Sequence, residues 1–303
     1  MGLKDILRQQ KGNAMVLVAA GLAGCIALGA LVVDIGLFFV TKTRLQTMVD
    51  AAALAAARET IPQLATTDPV TEAQQVAAEN GEAAGDQLAV NVTNGQVTVT
   101  AVRRVGFFLA PVMGIMQSNV RVSATATAGV LASATGVVPF GVEKQTFSYG
   151  VTYVLKAGGG GGTTGNYGGL ALGGKGANVY EYNIENGYGG VLRIGDYVNT
   201  QTGNMSGPTS SGVTSRLDQD PAGSFPPQNF ESPRIIVVPV IDSLDVQGTK
   251  PVQIVGFANF YLESAGGSGN DSYVTGKFIE LPQAGEISSS AAFYGAYNVK
   301  LLQ

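Results

Sequence analysis

A run of uncharged, mostly apolar residues occupies positions 12–33, near the start of the chain. Twenty-two helical residues rise about 33 Å, and the hydrocarbon core of a bilayer is about 30 Å thick. Asp34 interrupts the run, after which apolar residues continue to Val40. A helix buried in a soluble core normally shows a polar face, and this run has none before Asp34. The pattern predicts a cytoplasmic segment at 1–12 and a transmembrane helix at 13–40.

The predicted helix continues beyond the membrane. Residues 41–60 contain no glycine or proline and are dominated by good helix formers, and Ile61-Pro62 is a natural stop. Three basic residues precede the span and two follow it: Lys4, Arg8 and Lys11 against Lys42 and Arg44. This difference favours an N-terminus in the cytoplasm. We therefore predict a single-pass membrane protein whose remaining residues lie outside.

Residues 41–135 predict a module in which the helix packs on a small antiparallel sheet. A second helix is predicted over 69–84, with Asp68 as its N-cap. Alternating apolar and polar residues on both sides of Asn94-Gly95 predict a hairpin, and the alternation at 120–128 predicts a further strand. A long helix covered by a small sheet is a pilin-like plan, because the sheet buries the outer half of the helix.

After a small polar break at 133–136, the pattern of residues 136–303 becomes β-rich. Arg234–Val240 is almost wholly β-branched, which is typical of a central strand, and Pro239 predicts an edge or a bulge there. A short helix is predicted over 178–186. The other strands are predicted at Thr146–Leu155, Gly190–Val198, Val252–Ser264 and Ser272–Leu281. The predicted fold class is α+β: a long N-terminal transmembrane helix continuing into a pilin-like helix-plus-antiparallel-sheet module, then a β-rich C-terminal domain.

Composition excludes several kinds of chemistry. With His 0 and Cys 1, the chain has no Ser-His-Asp triad, no Cys-His pair, no histidine zinc site and no internal disulfide. A net charge of −4 argues against binding to nucleic acid. These absences do not exclude catalysis, but they remove its usual tools. We predict a protein that is not an enzyme and that has no cofactor, no catalytic residue and no metal site.

Several short motifs follow one another along the first helix. Val33-Asp34-x-Gly36 precedes Phe38-Phe39, Lys42-x-Arg44-Leu45-Gln46 comes next, and an alanine-rich stretch runs from Asp50 to Ala57. This order resembles that of TadE/TadG-like (TadG-related) Flp pilus-assembly proteins, whose pattern runs VDxG, an aromatic residue, RxxLQ and DAAALAAA. The hairpin, the apolar segment 107–116 and the following strand extend the resemblance to about residue 130. The motif residues are Asp34, Gly36, Arg44, Leu45, Gln46, Asp50 and Leu54.

The resemblance implies a non-catalytic, membrane-anchored component of a Tad/Flp-type (type IV-like) pilus assembly or secretion apparatus. It implies a place in the bacterial cytoplasmic membrane, with action by helix packing and through an extracytoplasmic head. The implied partners are the lipid bilayer, other membrane helices or pilus-assembly subunits, and further copies of the chain. A ridge of small residues on one helix face lets membrane helices approach closely: Gly21, Cys25 and Gly29. The general abundance of glycine in such helices is the alternative explanation.

The first helix and the segment beside it leave alternatives open. The chain is an uncleaved anchor, or it is cut after Gly12 as a prepilin is, or it is lipidated at Cys25 in a lipobox-like sequence. Asp34 either pairs with a basic group on a partner helix or lies in water at the outer interface. The apolar segment 107–116 is either a short buried helix or an edge that touches the membrane or a partner.

The polar segment 195–209 resembles a pattern of TadG-related extracellular regions. Its composition favours tight turns with hydrogen bonds from side chain to backbone. The alternatives are a calcium or ligand site that uses Asp196, Asn204 and Asp218, or a nucleophile at Ser206 or Thr209. The candidate residues of this polar loop are Asp196, Thr200, Asn204, Ser206 and Thr209.

Two further hypotheses concern residues 136–303, which are numerous enough to fold alone. In the first, the chain is a membrane-anchored extracellular adhesin or a module that binds cell wall or glycan. In the second, it is a membrane-anchored hydrolase. The glycine-rich stretch 157–169 lacks the Gly-Lys-Ser/Thr ending of a phosphate-binding loop and therefore predicts a surface loop.

Overall fold

A single long helix opens the computed structural model, which describes residues 10–108, 110–157, 166–269 and 272–302. This helix, α1, spans Gln10–Arg58, and its side chains are described at 15–25, at 29 and at 32–58. No proline interrupts it, and its alanine- and leucine-rich outer part has high helix propensity. The predicted continuous helix is therefore confirmed, and it ends just before Ile61-Pro62. In the part of the chain that the structure describes, no helix is both long enough and apolar enough to cross a membrane.

The chain divides into two compact units. The first comprises residues 1–127 and 300–303, and the second comprises residues 128–299. The sequence placed its boundary at 135/136. Strand β3 passes through the division in the structure, so that its last residues are counted with the second unit.

The first unit adds a helix and three antiparallel strands to α1. These elements are α2 (Pro69–Glu79), β1 (Gln87–Thr93), β2 (Gln96–Gly106) and β3 (Gln117–Leu131), with a 3-10 helix at Ala110–Met113 before β3. Asp68 caps α2, as predicted, because its side chain accepts hydrogen bonds from the amides of Val70 and Thr71. The helix stops at Glu79 and not at the predicted residue 84, because Asn80 ends it and Gly81 takes a φ of 97°.

The predicted hairpin is confirmed. Strands β1 and β2 are antiparallel, and Thr93 pairs with Gln96 across the turn. Asn94 and Gly95 have φ values of 53° and 73°, which are the positive angles that a two-residue hairpin turn requires. Strand β3 then pairs with β2 from Gln96↔Thr127 to Gly106↔Gln117, so the pilin-like plan of helix and antiparallel sheet is present.

The core of the first unit lies between the outer half of α1 and one face of β2 and β3. Every second residue of each strand turns towards the helix, as a half-buried sheet requires. The buried helix side chains are Leu45, Met48, Val49, Ala52, Ala53, Ala56 and Ala57, and the buried strand side chains are Val97, Val99, Ala101, Val120, Val122, Ala124 and Ala126. Small alanines on α1 let the helix approach the sheet closely.

The second unit is β-rich, as predicted, with two helices. Its helices are α3 (Ala177–Asn186) and α4 (Ser206–Gln219). Its strands are β4 (Ser133–Ala134), β5 (Val142–Glu143), β6 (Thr152–Ala157), β7 (Asn166–Ala171), β8 (Leu192–Arg193), β9 (Tyr197–Thr202), β10 (Ile235–Ile241), β11 (Pro251–Gly266), β12 (Tyr273–Ile279), β13 (Leu281–Pro282), β14 (Ile287–Ser288) and β15 (Ala296–Leu302), whose residues from 300 onwards are counted with the first unit.

The main sheet of the second unit has the order β5-β10-β11-β12-β6. Strand β10 lies inside it, as its β-branched sequence predicted, antiparallel to β11 and parallel to the short β5. A register shift falls between Val240 and Ile241, immediately after Pro239, so the predicted irregularity is confirmed. Strands β9 and β7 continue from the other end of β11.

Three of the sequence predictions for this unit were wrong. The strand predicted over Thr146–Leu155 begins only at Thr152 and runs to Ala157. The strand predicted over Gly190–Val198 is a two-residue strand at Leu192 and Arg193, a turn, and then β9. Helix α4 was missed, because its Gly, Pro, Ser and Thr residues favour turns over helices. Packing stabilises α4 instead: Gly212 lies against Ile184 of α3, where a Cβ atom would come within 2.7 Å of that side chain.

Candidate functional site

The carboxylate of Asp34 holds the loop between β2 and β3 against helix α1. The side chain is 3% exposed. Its two oxygens accept hydrogen bonds from the backbone amides of Phe108 and Ala110, at 2.8 Å each. Ala110 is the first residue of the 3-10 helix, so its amide has no partner inside that helix. We call this arrangement the Asp34 clasp.

The clasp corrects the interpretation that placed Asp34 in water. A buried carboxylate is costly unless hydrogen bonds compensate it, and here two backbone donors do so within the same chain. The other alternative that the sequence left open was a basic group on another helix as the partner of Asp34. The sequence did not indicate the two amides, because the identity of a side chain does not reveal what the backbone amide of that residue binds.

The loop held by the clasp presents apolar side chains to the outside. The amide of Phe107 donates to the carbonyl of Met116 at 3.0 Å and closes the loop. Phe108 is 80% exposed, Ile115 50% and Met116 65%. We call these last three residues the β2–β3 tip. The sequence left two alternatives for segment 107–116, a short buried helix or an exposed apolar edge. A short helix is present, yet these three side chains are exposed, which favours the apolar edge.

The part of α1 before the clasp is also exposed. We call residues 15–40 the apolar half of α1. Among its described side chains, eleven large apolar ones are between 37% and 79% exposed: Met15, Val16, Leu17, Val18, Leu22, Val32, Val33, Ile35, Leu37, Phe39 and Val40. Exposed apolar surface of this extent marks an interaction site in folded proteins.

The small-residue ridge lies on the face of α1 that points away from the clasp. Cys25 and Asp34 are nine residues apart, which at about 100° per residue puts them on opposite faces of the helix. A Cβ atom added at Gly21 or Gly29 would meet nothing within 4 Å, and the Cys25 thiol is exposed. The ridge is thus accessible to a second helix, and its role in packing stays a prediction.

The other motif residues lie above the clasp along α1. Leu45 is fully buried, and Leu54 is half-buried. The side-chain amide of Gln46 donates to the carboxylate of Asp50 at 2.7 Å and to the carbonyl of Ser123 in β3 at 3.2 Å. The second of these bonds ties the helix to the sheet. Arg44 is exposed, and Gly36 has open space around its Cα.

An ion pair fastens the start of β1 to β2. The guanidinium of Arg103 donates to both carboxylate oxygens of Asp86, with a shortest distance of 2.5 Å. Burial raises the pKa of Asp86. The hydrogen bonds from Arg103 and from the amide of Ala83, together with the charge of Arg103, outweigh burial and leave that pKa below its ordinary value.

A second carboxylate closes the end of α1. Glu59 accepts hydrogen bonds from the amides of Thr66 and Thr67 and from Arg58. Burial raises the pKa of Glu59, whereas these hydrogen bonds lower it by more, so the pKa lies below its ordinary value. Both carboxylates are therefore structural.

The polar-loop residues bond neighbouring backbone groups. Asp196 accepts from the amide of Arg193 at 2.7 Å, and Thr200 donates to the carbonyl of Gly248 at 2.9 Å. Asn204 donates to the carbonyl of Gly269, and Ser206 is the first residue of α4. The sequence favoured side-chain hydrogen bonds to the backbone in this segment, and these contacts are of that kind. The segment differs from the prediction in containing strand β9 and the start of α4, where tight turns were expected.

The structure offers little support for chemistry at this loop. Thr209 is 2% exposed, too buried to meet a substrate as a nucleophile. Asp218 is exposed at the far end of α4, whereas Asp196 and Asn204 each bond a different loop. Among the described residues, no group of three or more His, Cys, Asp or Glu side chains could hold a metal ion. Most of the glycine-rich stretch, 158–165, lies outside the described residues.

A partly buried arginine supports α4. Arg216 donates to the carbonyls of Ile184 and Pro233. Burial lowers the pKa of Arg216 to about 10, which still leaves the guanidinium charged at neutral pH. Arg216 therefore joins α3, α4 and the start of β10 and carries no chemistry of its own.

A comparison with protein families identifies the first helix. Residues 12–59 match the family described as putative Flp pilus-assembly TadE/G-like. The resemblance seen in the motifs is thereby confirmed over these residues, which contain the apolar half of α1, Asp34 and the packed outer half. No curated protein and no solved structure matches the chain.

Proposed function

We propose that the chain is a non-catalytic, membrane-anchored component of a Tad/Flp-type pilus assembly or secretion apparatus. The observation that carries this proposal is the coincidence of the TadE/G-like match with α1, a helix that is packed in one half and exposed in the other. In this proposal the apolar half lies in the bacterial cytoplasmic membrane, and the sheet and the second unit lie outside it.

The mechanism we propose is helix packing without covalent chemistry. The ridge of Gly21, Cys25 and Gly29 contacts another membrane helix, either of a pilus-assembly subunit or of a second copy of the chain. Two features support this assignment. The ridge faces away from the chain's own sheet, and no atom lies within 4 Å of a Cβ position at either glycine.

The test uses complementation of a deletion strain, with surface pili counted by electron microscopy. Replacing Gly21 and Gly29 by leucine should abolish or strongly reduce piliation, because the bulky side chains keep the partner helix away. The matched control, Ala20→Leu with Ala23→Leu, enlarges small residues on the opposite face of the same half-helix and should leave piliation intact. Equal piliation in both strains would contradict packing through the ridge, and normal piliation in the deletion strain itself would contradict the function.

One observation favours a second candidate function, the binding of cell wall or glycan by the second unit. An open cleft of about 310 Å³ is lined by Tyr188, Asp196, Tyr197 and Asn199, among others. Tyr197 is 66% exposed. Aromatic faces beside carboxylate and amide groups suit a sugar ring with its hydroxyls. Retention of the full-length chain on cell-wall material, lost in Tyr197→Ala but kept in the control Tyr182→Ala on α3, would support this candidate.

A further inference from the structure

We propose that the β2–β3 tip, together with four basic side chains nearby, is a second lipid-binding element that inserts into an anionic membrane surface. This inference rests on the proposed membrane anchoring, since it takes the apolar half of α1 to lie in the bilayer. It adds a contact outside residues 12–59, the part of the chain that matches the family.

The first argument is position. The clasp holds the backbone of the tip beside Asp34, the residue at which the uncharged run of α1 ends. If that run lies in hydrocarbon, the tip is held at the level where hydrocarbon gives way to headgroups. Phe108, Ile115 and Met116 are exposed there, and Ile35 and Phe39, one and five positions along α1 from Asp34, are exposed as well. Apolar side chains of this kind insert about 5–10 Å into the boundary between headgroups and acyl chains.

The second argument is charge. Four exposed basic residues lie just beyond the clasp: Lys42 and Arg44 on α1, Arg104 on β2 and Arg121 on β3. From Asp34, Lys42 and Arg44 are about 12 and 15 Å along the helix axis. From the tip end of β2, Arg104 is about 7 Å away, and Arg121, which pairs with Val102, is about 13 Å away. Long basic side chains at this level reach lipid phosphates while their stems cover apolar surface.

The third argument is that these four charges are available. Among the described residues, no acidic side chain lies within 4.0 Å of any of the four, whereas Asp86 is held by Arg103 and Asp50 by Gln46. Anionic lipid headgroups over an apolar interior complement the tip and its basic residues in both charge and hydrophobicity.

Fluorescence quenching in vesicles tests the proposal directly. Cys25 is the chain's only cysteine, so three full-length proteins with one label each are available. The first is labelled at Cys25. The second is labelled at Ile115→Cys and the third at Val92→Cys, both in a Cys25→Ser background. Val92 is the matched control because it is an exposed apolar residue of the same unit at the opposite end of the strands. Each is reconstituted in vesicles of phosphatidylcholine and phosphatidylglycerol that carry nitroxide-labelled lipid.

The proposal predicts quenching of the tip label by nitroxides at shallow acyl positions, quenching of Cys25 by deep ones, and no quenching at Val92. A quenched Cys25 with an unquenched tip would overturn this inference and leave the anchoring intact. If neither label is quenched, the anchoring itself is wrong. Equal quenching at the tip and at Val92 would indicate non-specific adsorption. Fluorescence of the tip label that depends on protein concentration in detergent would indicate contact between copies of the chain. Either outcome overturns the inference.

The charge requirement has its own test. In the tip-labelled protein, Arg104→Gln with Arg121→Gln should lower the equilibrium constant for tip insertion about thirtyfold in anionic vesicles. It should have little effect in vesicles of phosphatidylcholine alone. The control pair, Lys175→Gln with Lys250→Gln, removes two exposed charges from the second unit and should change nothing. Unaltered quenching in the arginine variant would overturn the role of anionic lipid.

Discussion

The two halves of α1 are built from similar residues but have opposite surroundings. Leu45 and Met48 in the outer half are at most 1% exposed, whereas Leu17 and Leu22 in the apolar half are 72% and 59% exposed. The difference does not come from hydrophobicity, since the exposed half is the more apolar one. It comes from the sheet, which, among the described side chains of α1, buries apolar ones from Leu45 onwards. Exposure on this scale in one half, beside close packing in the other, supports a role in which lipid or another helix covers the apolar half.

The comparison predicts a large difference between equivalent leucine substitutions. Leu45→Ala should lower the free energy of unfolding by about 2–5 kcal/mol, because it opens a cavity in the core of the first unit. Leu22→Ala, at an exposed site, should change it by less than about 0.5 kcal/mol. Urea unfolding of the full chain in detergent micelles, monitored by amide exchange in β2, measures the change in free energy of unfolding for both variants. Similar losses for the two variants would show that the apolar half is packed within the protomer.

The next largest effect is expected at the clasp, where the two halves meet. Asp34→Ala leaves the amides of Phe108 and Ala110 without their acceptor and should cost about 1–3 kcal/mol. Residue-resolved amide exchange should show faster exchange at these two positions. Asp50→Ala is the control, because the Asp50 carboxylate accepts from the Gln46 side chain and lies well away from the tip. Unchanged exchange in Asp34→Ala would mean that the loop is held by other contacts.

A smaller effect, dependent on pH, is expected from the ion pair that supports the covering sheet. Arg103→Met should cost about 1.5 kcal/mol at neutral pH. The pKa of Asp86 is lowered from its ordinary value of 3.8, so the contribution of this pair is complete above that pH and is lost as the pH falls through the lower folded-state pKa.

Urea unfolding at a series of pH values from neutral to acid measures this dependence. The stability curves of the wild type and of Arg103→Met should converge in acid. Glu59→Gln serves as a reference for the general acid effect, because the Glu59 carboxylate also has a lowered pKa but is independent of Arg103. A constant gap between the two curves would show that packing of the arginine stem, and not its charge, carries the effect.

The smallest of these effects is expected at the hairpin turn, at the end of the sheet farthest from the tip. Gly95→Ala places a side chain at a φ of 73° and should cost about 1 kcal/mol. Gly106→Ala, at the other end of strand β2, with no positive φ and nothing within 4 Å of the added Cβ, is the control. Thermal unfolding of the two variants separates the effect of turn geometry from the effect of replacing any glycine. Equal shifts in Tm would contradict a cost that is specific to the turn.

The sequence predicted best those elements whose signals are local. The Asn94-Gly95 hairpin, the Asp68 cap and strand β10 follow from turn chemistry, capping and β-branched runs of a few residues, and the structure contains all of them. Helix α4 was missed because its stability depends on contacts with Ile184 of α3, distant in sequence, which override the low helix propensity of Ser206–Thr209.

The residues of the candidate site also divide into those that the sequence indicated and those that it did not. The motifs of α1 point to Asp34, Gln46 and Asp50 through their resemblance to TadE/G-like proteins, and the family match over 12–59 agrees with that resemblance. The partners of Asp34 could not be found in that way, because they are backbone amides 74 and 76 residues further along the chain. The nearby apolar segment was the only signal available, and it left burial and exposure equally open.

By itself, the sequence determined that α1 is one continuous helix, that a small antiparallel sheet follows it, and that histidine and paired cysteines are missing. Only the tertiary structure decided which half of that helix is covered, what the Asp34 carboxylate binds, and that Phe108, Ile115 and Met116 are exposed beside it. The reason is physical. Helix propensity and turn geometry act over a few neighbouring residues, whereas burial depends on which distant strand reaches each face of the helix.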